Sequence, residues 1–162
     1  MILKTILLTV FCGMAISGTY AQTSDAEAEA IANLLGVQKK EAISKLVPVT
    51  GKDSVAFWKI YNEYQDKNNA TTKARIHLYE KTAHAYSNMT PHIADSLALK
   101  YFENRLDQEK SLETYYKKIK AATNAVIAFE FYQAEVYLLT QIRASIMQQI
   151  PTYGQLQGAK KN

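Results

Sequence analysis

The chain has 162 residues, of which 48% are hydrophobic and 21% charged, a composition typical of one globular domain. Its 19 basic and 15 acidic side chains are spread along the sequence, and the densest basic run, residues 117–120, does not continue into a longer stripe. We therefore expect a protein that has no nucleic-acid partner.

The first 21 residues have the features of a secretory signal peptide. Lys4 supplies an early positive charge, and residues 6–16 form an apolar core that is too short to span a bilayer. Cleavage near Ala21 predicts a periplasmic or secreted protein whose mature chain has no membrane span. The only cysteine, Cys12, lies inside this segment, so we expect neither disulfides nor thiolate sites in the mature chain.

The remaining sequence predicts a single helical domain, residues 22–150, followed by a flexible C-terminal tail, residues 151–162. Two short helices are expected to open the domain. Gly36 is a typical helix-ending residue, and Pro48 closes the segment 37–46 because the residue before a proline is disfavoured in a helix. The tail is rich in glycine, glutamine and lysine, which favours fraying.

Two long helices follow these short ones. The first is predicted to begin near Asp53, with Thr50 as its N-cap, and the second begins at Thr90 and Pro91, a strong helix-start signal. The loop between them is short, which forces the two helices to run antiparallel as a hairpin.

A fourth helix is predicted from Asn124, its N-cap, to about Gln149. Apolar residues cover most of its circumference, so we expect it to be the most buried helix. No segment has the alternating pattern of a strand. The predicted fold class is therefore all-α: an elongated antiparallel helical hairpin with a packed C-terminal helix and short N-terminal helices.

Four aromatic residues near the start of the first long helix recur at helical spacing: Phe57, Trp58, Tyr61 and Tyr64. Such spacing is typical of a buried helix face. The alternative is a partner-binding surface, because tyrosine combines an apolar ring with a polar tip and suits the binding of unfolded chains.

His77, Glu80 and His84 form a candidate metal site on the same helix, since their spacing places them on one face. Imidazole and carboxylate suit Zn²⁺ or another divalent transition metal, and Glu103 or Glu109 on the antiparallel helix could supply a fourth ligand. The alternative is a solvated polar stripe, because neither HExxH nor the Glu-x-x-His motif of di-iron bundles is present.

Catalytic motifs are missing from the sequence. It contains no nucleophile elbow, no glycine-rich phosphate loop and no metalloprotease motif, and Glu130 and Glu135 are expected to be ordinary surface charges. We therefore predict that the protein is not an enzyme and needs no organic cofactor.

Two helix starts, Val49-Thr50-Gly51-Lys52-Asp53 and Met89-Thr90-Pro91-His92-Ile93, carry a family resemblance. They resemble the repeated Leu-Thr-x-x-Gln of Spy/CpxP-like periplasmic proteins of Gram-negative bacteria, with threonine kept in both and the leucine and glutamine replaced. The AFWKIYNEY and FEFYQAE segments are also similar to those of small exported helical proteins in this group.

This resemblance implies an ATP-independent envelope-stress chaperone or protein-binding module. The partners would be unfolded or partner proteins, and the family's concave dimers imply a homodimer. A periplasmic metal sensor or scavenger is the second hypothesis, and a structural protein is the third.

Overall fold

A computed structural model describes the backbone of residues 25–149 and the side chains of residues 25–145. The elements are α1 (Asp25–Leu46), α2 (Gly51–Ala85), a 3₁₀ helix (Tyr86–Asn88), α3 (Pro91–Ala122) and α4 (Ala125–Gln149). No strand occurs in these described residues, and the predicted all-α class is confirmed. The predicted signal peptide, residues 1–21, and the predicted tail, residues 151–162, lie outside the described residues.

Helices α1 and α2 run antiparallel. At one end, the Asp25 carboxylate lies 3.1 Å from the Nε2 of His77, and further along Lys39 Nζ lies 3.4 Å from the Oε1 of Gln65. Residue numbers thus fall along α1 as they rise along α2. The first helix therefore packs back along the second over most of its own length.

The predicted hairpin is formed by α2 and α3. Tyr115 donates from its hydroxyl to the backbone carbonyl of Glu63 at 3.2 Å, and Asn104 donates from its side-chain amide to the carbonyl of Thr71 at 2.9 Å. Helix α4 packs against α3 and α1, so the four helices form an up-and-down bundle in which each contacts the next and the last contacts the first.

The predicted pair of short N-terminal helices is wrong, because residues 25–46 form one continuous helix. Gly36 lies inside α1, and its backbone carbonyl accepts a 3.3 Å hydrogen bond from the side-chain amide of Gln65. Glycine is about 1 kcal/mol less favourable than alanine inside a helix. The packing of α1 against α2 thus outweighs this cost.

Side-chain caps begin two of the helices as predicted. Thr90 Oγ1 accepts from the backbone N–H of Ile93 at 3.2 Å, and Pro91 takes the first position of α3. Asn124 Oδ1 accepts from the N–H of Val126 at 2.9 Å, which caps α4. Local sequence therefore fixes where these helices start.

Helix α2 starts after the predicted N-cap residue, but without the predicted side-chain cap. Thr50 is the N-cap residue, but its side chain makes no capping hydrogen bond, and the helix begins two residues before Asp53. It begins at Gly51, whose φ of +62° lies in the left-handed region that glycine tolerates best. Backbone geometry, and not a threonine cap, makes this turn.

The main core lies along the first half of α2, where all four helices contribute. Its largest fully buried side chains are Tyr61, Tyr64, Phe57, Phe131, Ile43, Leu112, Ile119, Glu135 and Val47. Ring contacts tie the core together, with Phe131 of α4 edge-on to Phe57 at a centroid distance of 6.3 Å and to Tyr64 at 5.4 Å. The aromatic residues of α2 therefore anchor α4.

The expectation that α4 is buried around its circumference is not met. Phe131 and Leu138 are buried, but Val126, Phe129 and Tyr137 on the same helix are each more than half exposed. None of the helices in the described part of the chain is long and apolar enough to cross a membrane. Helix α4 therefore has one face in the core and apolar groups on its outer side.

Alanine substitutions at the two helical glycines should have opposite effects. Gly36→Ala should raise the free energy of unfolding by about 0.5–1 kcal/mol, because no side chain or backbone atom outside α1 lies within 4 Å of the added methyl. Gly51→Ala should lower it by about 1–2 kcal/mol, because alanine is strained at positive φ. Urea unfolding measures both, and a loss of stability in Gly36→Ala would contradict the continuous α1.

Candidate functional site: a buried ion pair beside a cationic cavity

A charged pair lies at the centre of the bundle. The carboxylate of Glu135 on α4 is fully buried, and the ammonium of Lys39 on α1 lies 2.8 Å from its Oε2. Lys39 is itself only 8% exposed. A charge removed from water is tolerated only with an opposite charge and enough hydrogen bonds, so each of these residues requires the other.

Two tyrosine hydroxyls of α2 complete the coordination of this carboxylate. Tyr64 donates to Glu135 Oε2 at 2.9 Å and Tyr61 donates to Oε1 at 3.3 Å. The amide of Gln65 donates to the Tyr61 hydroxyl at 2.7 Å. Both carboxylate oxygens therefore have partners, and the network joins α1, α2 and α4.

The network strongly disfavours ionisation of its tyrosines. Burial is the largest effect that raises the pKa of Tyr61, and the nearby negative charge of Glu135 raises it further. The same two causes hold the pKa of Tyr64 well above its usual range. Both hydroxyls thus remain hydrogen-bond donors at any physiological pH.

The four aromatic residues proposed as a partner-binding surface belong to this core. Phe57, Tyr61 and Tyr64 are fully buried, and Trp58 is half-buried with its ring edge-on to Phe57 at 5.0 Å. The structure supports the interpretation of these residues as a buried helix face. The interpretation as an exposed partner-binding surface is wrong. The physical reason is that α1 and α4 cover this part of α2.

A cavity of about 430 Å³ lies beside the network, where α1, α2 and α4 diverge. Four basic side chains and one acidic side chain are among the residues that line it: Lys39, Lys40, Arg75, Arg143 and Asp66. Its volume lies within the range of small-molecule sites, about 300–1,000 Å³. The cavity is therefore a candidate ligand site with an excess of positive charge.

Arg75 is held in place by a residue of α3. Its Nε donates to Asn104 Oδ1 at 2.8 Å, and Asn104 is held in turn by the carbonyl of Thr71. Burial lowers the pKa of the Arg75 guanidinium, and the positive charges of Arg143 and Arg105 lower it further. Arg75 is therefore a partly desolvated cation held at the cavity that Arg143 also lines.

The proposed metal ligands do not form a metal site in the described residues. His77 Nδ1 lies 3.6 Å from Glu80, and His84 Nε2 lies 3.9 Å from the other oxygen of that carboxylate. Within the described part of the chain, no group of three or more histidine, cysteine or acidic side chains is placed to hold a metal ion. The Nε2 of His77 instead faces Asp25, which joins the start of α1 to α2.

These three residues and Glu103 line a second, more open groove between α2 and α3. The predicted juxtaposition of Glu103 with the histidine stripe is therefore found, without the convergence of ligands that a metal needs.

The sequence patterns did not single out Lys39 and Glu135 of the network, or the charged residues of the cavity. Glu135 was expected on the surface, yet it follows Phe131 by four positions and precedes Leu138 by three, which places it on the core face of α4. Lys39 likewise precedes the buried Ile43 by four positions. A charged residue within a buried stripe was the available signal for both.

No local pattern could have revealed the two arginines of the cavity. Arg75 lies on α2 and Arg143 on α4, and only the assembly of the bundle brings both to the same cavity.

A scan of the sequence against protein-family models finds no match, and searches of curated proteins and of solved structures find none either. The resemblance to Spy/CpxP-like proteins therefore stays a prediction, as do export and chaperone activity. Function has to be inferred from the geometry and chemistry of this chain.

Removing one partner of the buried ion pair should lower the free energy of unfolding more than removing both partners. Glu135→Leu or Lys39→Met alone should lower the free energy of unfolding by about 3–5 kcal/mol, because each leaves one buried charge unpaired. The double variant should be more stable than either single variant. It should remain about 1–3 kcal/mol less stable than the natural chain, because the tyrosine hydroxyls are left without an acceptor. A double-mutant cycle in urea measures the coupling.

The exposed pair Lys45 and Glu41 is the matched control, since both side chains are 69% exposed. Glu41→Leu should leave stability nearly unchanged. If the losses of stability in the single variants at Lys39 and Glu135 add up to the loss in the double variant, the two residues are not a coupled buried pair.

The two buried tyrosines should make the protein sensitive to alkali. Their pKa is raised in the folded state, so their contribution to stability is complete below the unfolded value of about 10 and is lost as the pH rises above it. The loss should reach about 1.4 kcal/mol per pH unit for each tyrosine. The fall in stability from neutral to alkaline pH should be less steep in Tyr64→Phe than in the natural chain, and equal slopes in the two would contradict this prediction.

Proposed function

We propose that this is an exported, non-enzymatic helical protein that binds apolar segments of unfolded or partner proteins without ATP. The observation that carries the proposal is a row of exposed apolar side chains on α3. Leu99, Phe102 and Leu106 are each more than half exposed and recur at helical spacing. Clustered exposed apolar groups are typical of protein-interaction sites.

The row faces away from the bundle. The buried residues of α3 are Asn104, Gln108, Leu112, Tyr115 and Ile119, which recur along the opposite side of the helix. Packing among the described residues therefore gives no reason for three large apolar residues on the outer side. Together they form what we call the α3 patch: Leu99, Phe102 and Leu106.

The α3 patch lies on the half of the hairpin nearer its turn. Asn104, in the middle of the patch in sequence, contacts Thr71 and Arg75 in the second half of α2. Basic and acidic side chains flank the patch, with Lys100, Glu103 and Arg105 in the same stretch. An apolar centre with a charged rim is the usual composition of a reversible protein-binding surface.

A second exposed apolar group lies on α4. It offers a further binding site for an unfolded protein, which we call the client. Val126 and Phe129 are 66% and 55% exposed, and the Phe129 ring lies 6.5 Å from that of Tyr132. Their neighbour Phe131 packs against Phe57, which places this group at the first half of α2, away from the α3 patch. Two separated apolar sites suit an extended, unfolded client better than a compact one.

Suppression of aggregation tests the proposal. A chemically denatured model protein is diluted into buffer without ATP, in the presence of a several-fold molar excess of the mature chain, and light scattering is recorded. We expect clear suppression by the natural chain and loss of most of it in the triple variant Leu99→Ser, Phe102→Ser, Leu106→Ser. All three positions are exposed, so the fold should persist by circular dichroism.

Val55→Ser is the matched control, because Val55 is 78% exposed on α2 and lies outside both apolar groups. It should suppress aggregation as well as the natural chain does. No suppression by the natural chain, or equal suppression by the triple variant, would rule out client binding at the α3 patch.

A further inference from the structure

We propose that the cavity between α1, α2 and α4 binds a small single-chain amphiphile with a carboxylate head, the chemical class of medium-chain fatty acids. The head would lie at Arg75 and Arg143, and the chain would lie against the apolar wall of the cavity. This inference is independent of client binding at the α3 patch, because the two sites share no residue.

The first observation is positive charge without a counter-charge. All 15 acidic side chains of the sequence fall within residues 25–145, the part whose side chains the structure describes. Neither Arg75 nor Arg143 forms an ion pair with any of them.

The other charges of the cavity are accounted for. Lys39 is paired with the buried Glu135, and Lys40 donates to the side-chain oxygen of Asn62 at 2.8 Å. Asp66 is the one acidic side chain among the residues that line this cavity, and it is exposed. The two arginines therefore remain as an unneutralised pair, which an anion stabilises strongly through charge-assisted hydrogen bonds.

The second observation is the apolar wall next to this pair. Three helices contribute to it, with Leu35 from α1, Ile76 and Tyr79 from α2, and Leu139 and Ile142 from α4. By area the wall of the cavity is mostly apolar, although ten of its 18 lining residues are polar or charged, the four cations among them. This is the composition of a site that orients a ligand by a few polar contacts and buries the rest.

The size of the cavity sets the class of amphiphile. About 430 Å³ is near the lower end of the usual range for ligand sites, which accommodates one short chain and not a two-chain phospholipid. A carboxylate accepts two parallel hydrogen bonds from the planar donor face of a guanidinium. A single-chain carboxylate satisfies both the charge and the volume.

Calorimetric titration of the mature chain with decanoate, kept below its micelle concentration, tests the proposal. We expect saturable binding at one site per chain. In Arg143→Gln the dissociation constant should rise about tenfold or more, because a charge-assisted contact to the head is lost. Decanol, which has the same chain without the charge, should bind about tenfold more weakly than decanoate to the natural protein.

Lys59→Gln is the matched control, because it removes one positive charge at an exposed position of α2 that neither lines the cavity nor belongs to the α3 patch. It should leave the dissociation constant within about twofold. Arg75→Gln should weaken decanoate as well, but it also breaks the hydrogen bond to Asn104, so Arg143→Gln decides the matter.

Three results would overturn the proposal: no saturable binding of decanoate, equal affinity for decanoate and decanol, or unchanged affinity in Arg143→Gln with circular dichroism identical to that of the natural chain. Because the α3 patch is untouched in all these variants, aggregation suppression should be the same in each. The two proposals can therefore fail separately.

Discussion

A carboxylate that leaves water has to meet an opposite charge and several hydrogen-bond donors, and Glu135 finds them only when three helices are docked together. The cation comes from α1, as Lys39, and the hydroxyl donors come from α2, as Tyr61 and Tyr64. A shift of α4 by one residue along its axis, about 1.5 Å, would separate these groups. The network therefore fixes the register of α4 and α1 on α2.

The two sides of this network have different character. On the side of Phe57 and Phe131 the rings interlock, and the interior is apolar and filled. On the side of Arg75 and Arg143 the helices diverge and leave the cavity. The network holds α1 and α4 against α2 at one point along the bundle. The interior can therefore be filled on one side of the network and contain a cavity on the other.

Much of the fold follows from local sequence. Helices α3 and α4 were predictable because their apolar periodicity agrees with the Thr90 cap and the Asn124 cap, and such agreement is typical of a sequence that specifies one structure. The prediction that a helix ends at Gly36 was wrong, because a glycine ends a helix only when the residues after it do not continue the helix packing. The carbonyl of Gly36 is instead held by Gln65 on the next helix.

The candidate site was less predictable, for a physical reason. Sequence spacing fixes neighbours on one helix, so it could group His77 with Glu80, but it does not say which helix will face them. Lys39, Arg75 and Arg143 come together only through the docking of α1 and α4 on α2. The aromatic residues were equally ambiguous, since a buried face and a binding face have the same spacing until the covering helices are known.

Lys39 connects the two parts of the interior, because it pairs with Glu135 on one side and lines the cavity on the other. An anion bound at the arginines would lie in the field of this lysine and add to the attraction that already holds α1 in place. The cost of keeping two guanidiniums close together would also be relieved. Any ligand that prefers the folded chain in this way stabilises it by mass action. Occupancy of the cavity and the docking of α1 and α4 on the hairpin are therefore thermodynamically linked.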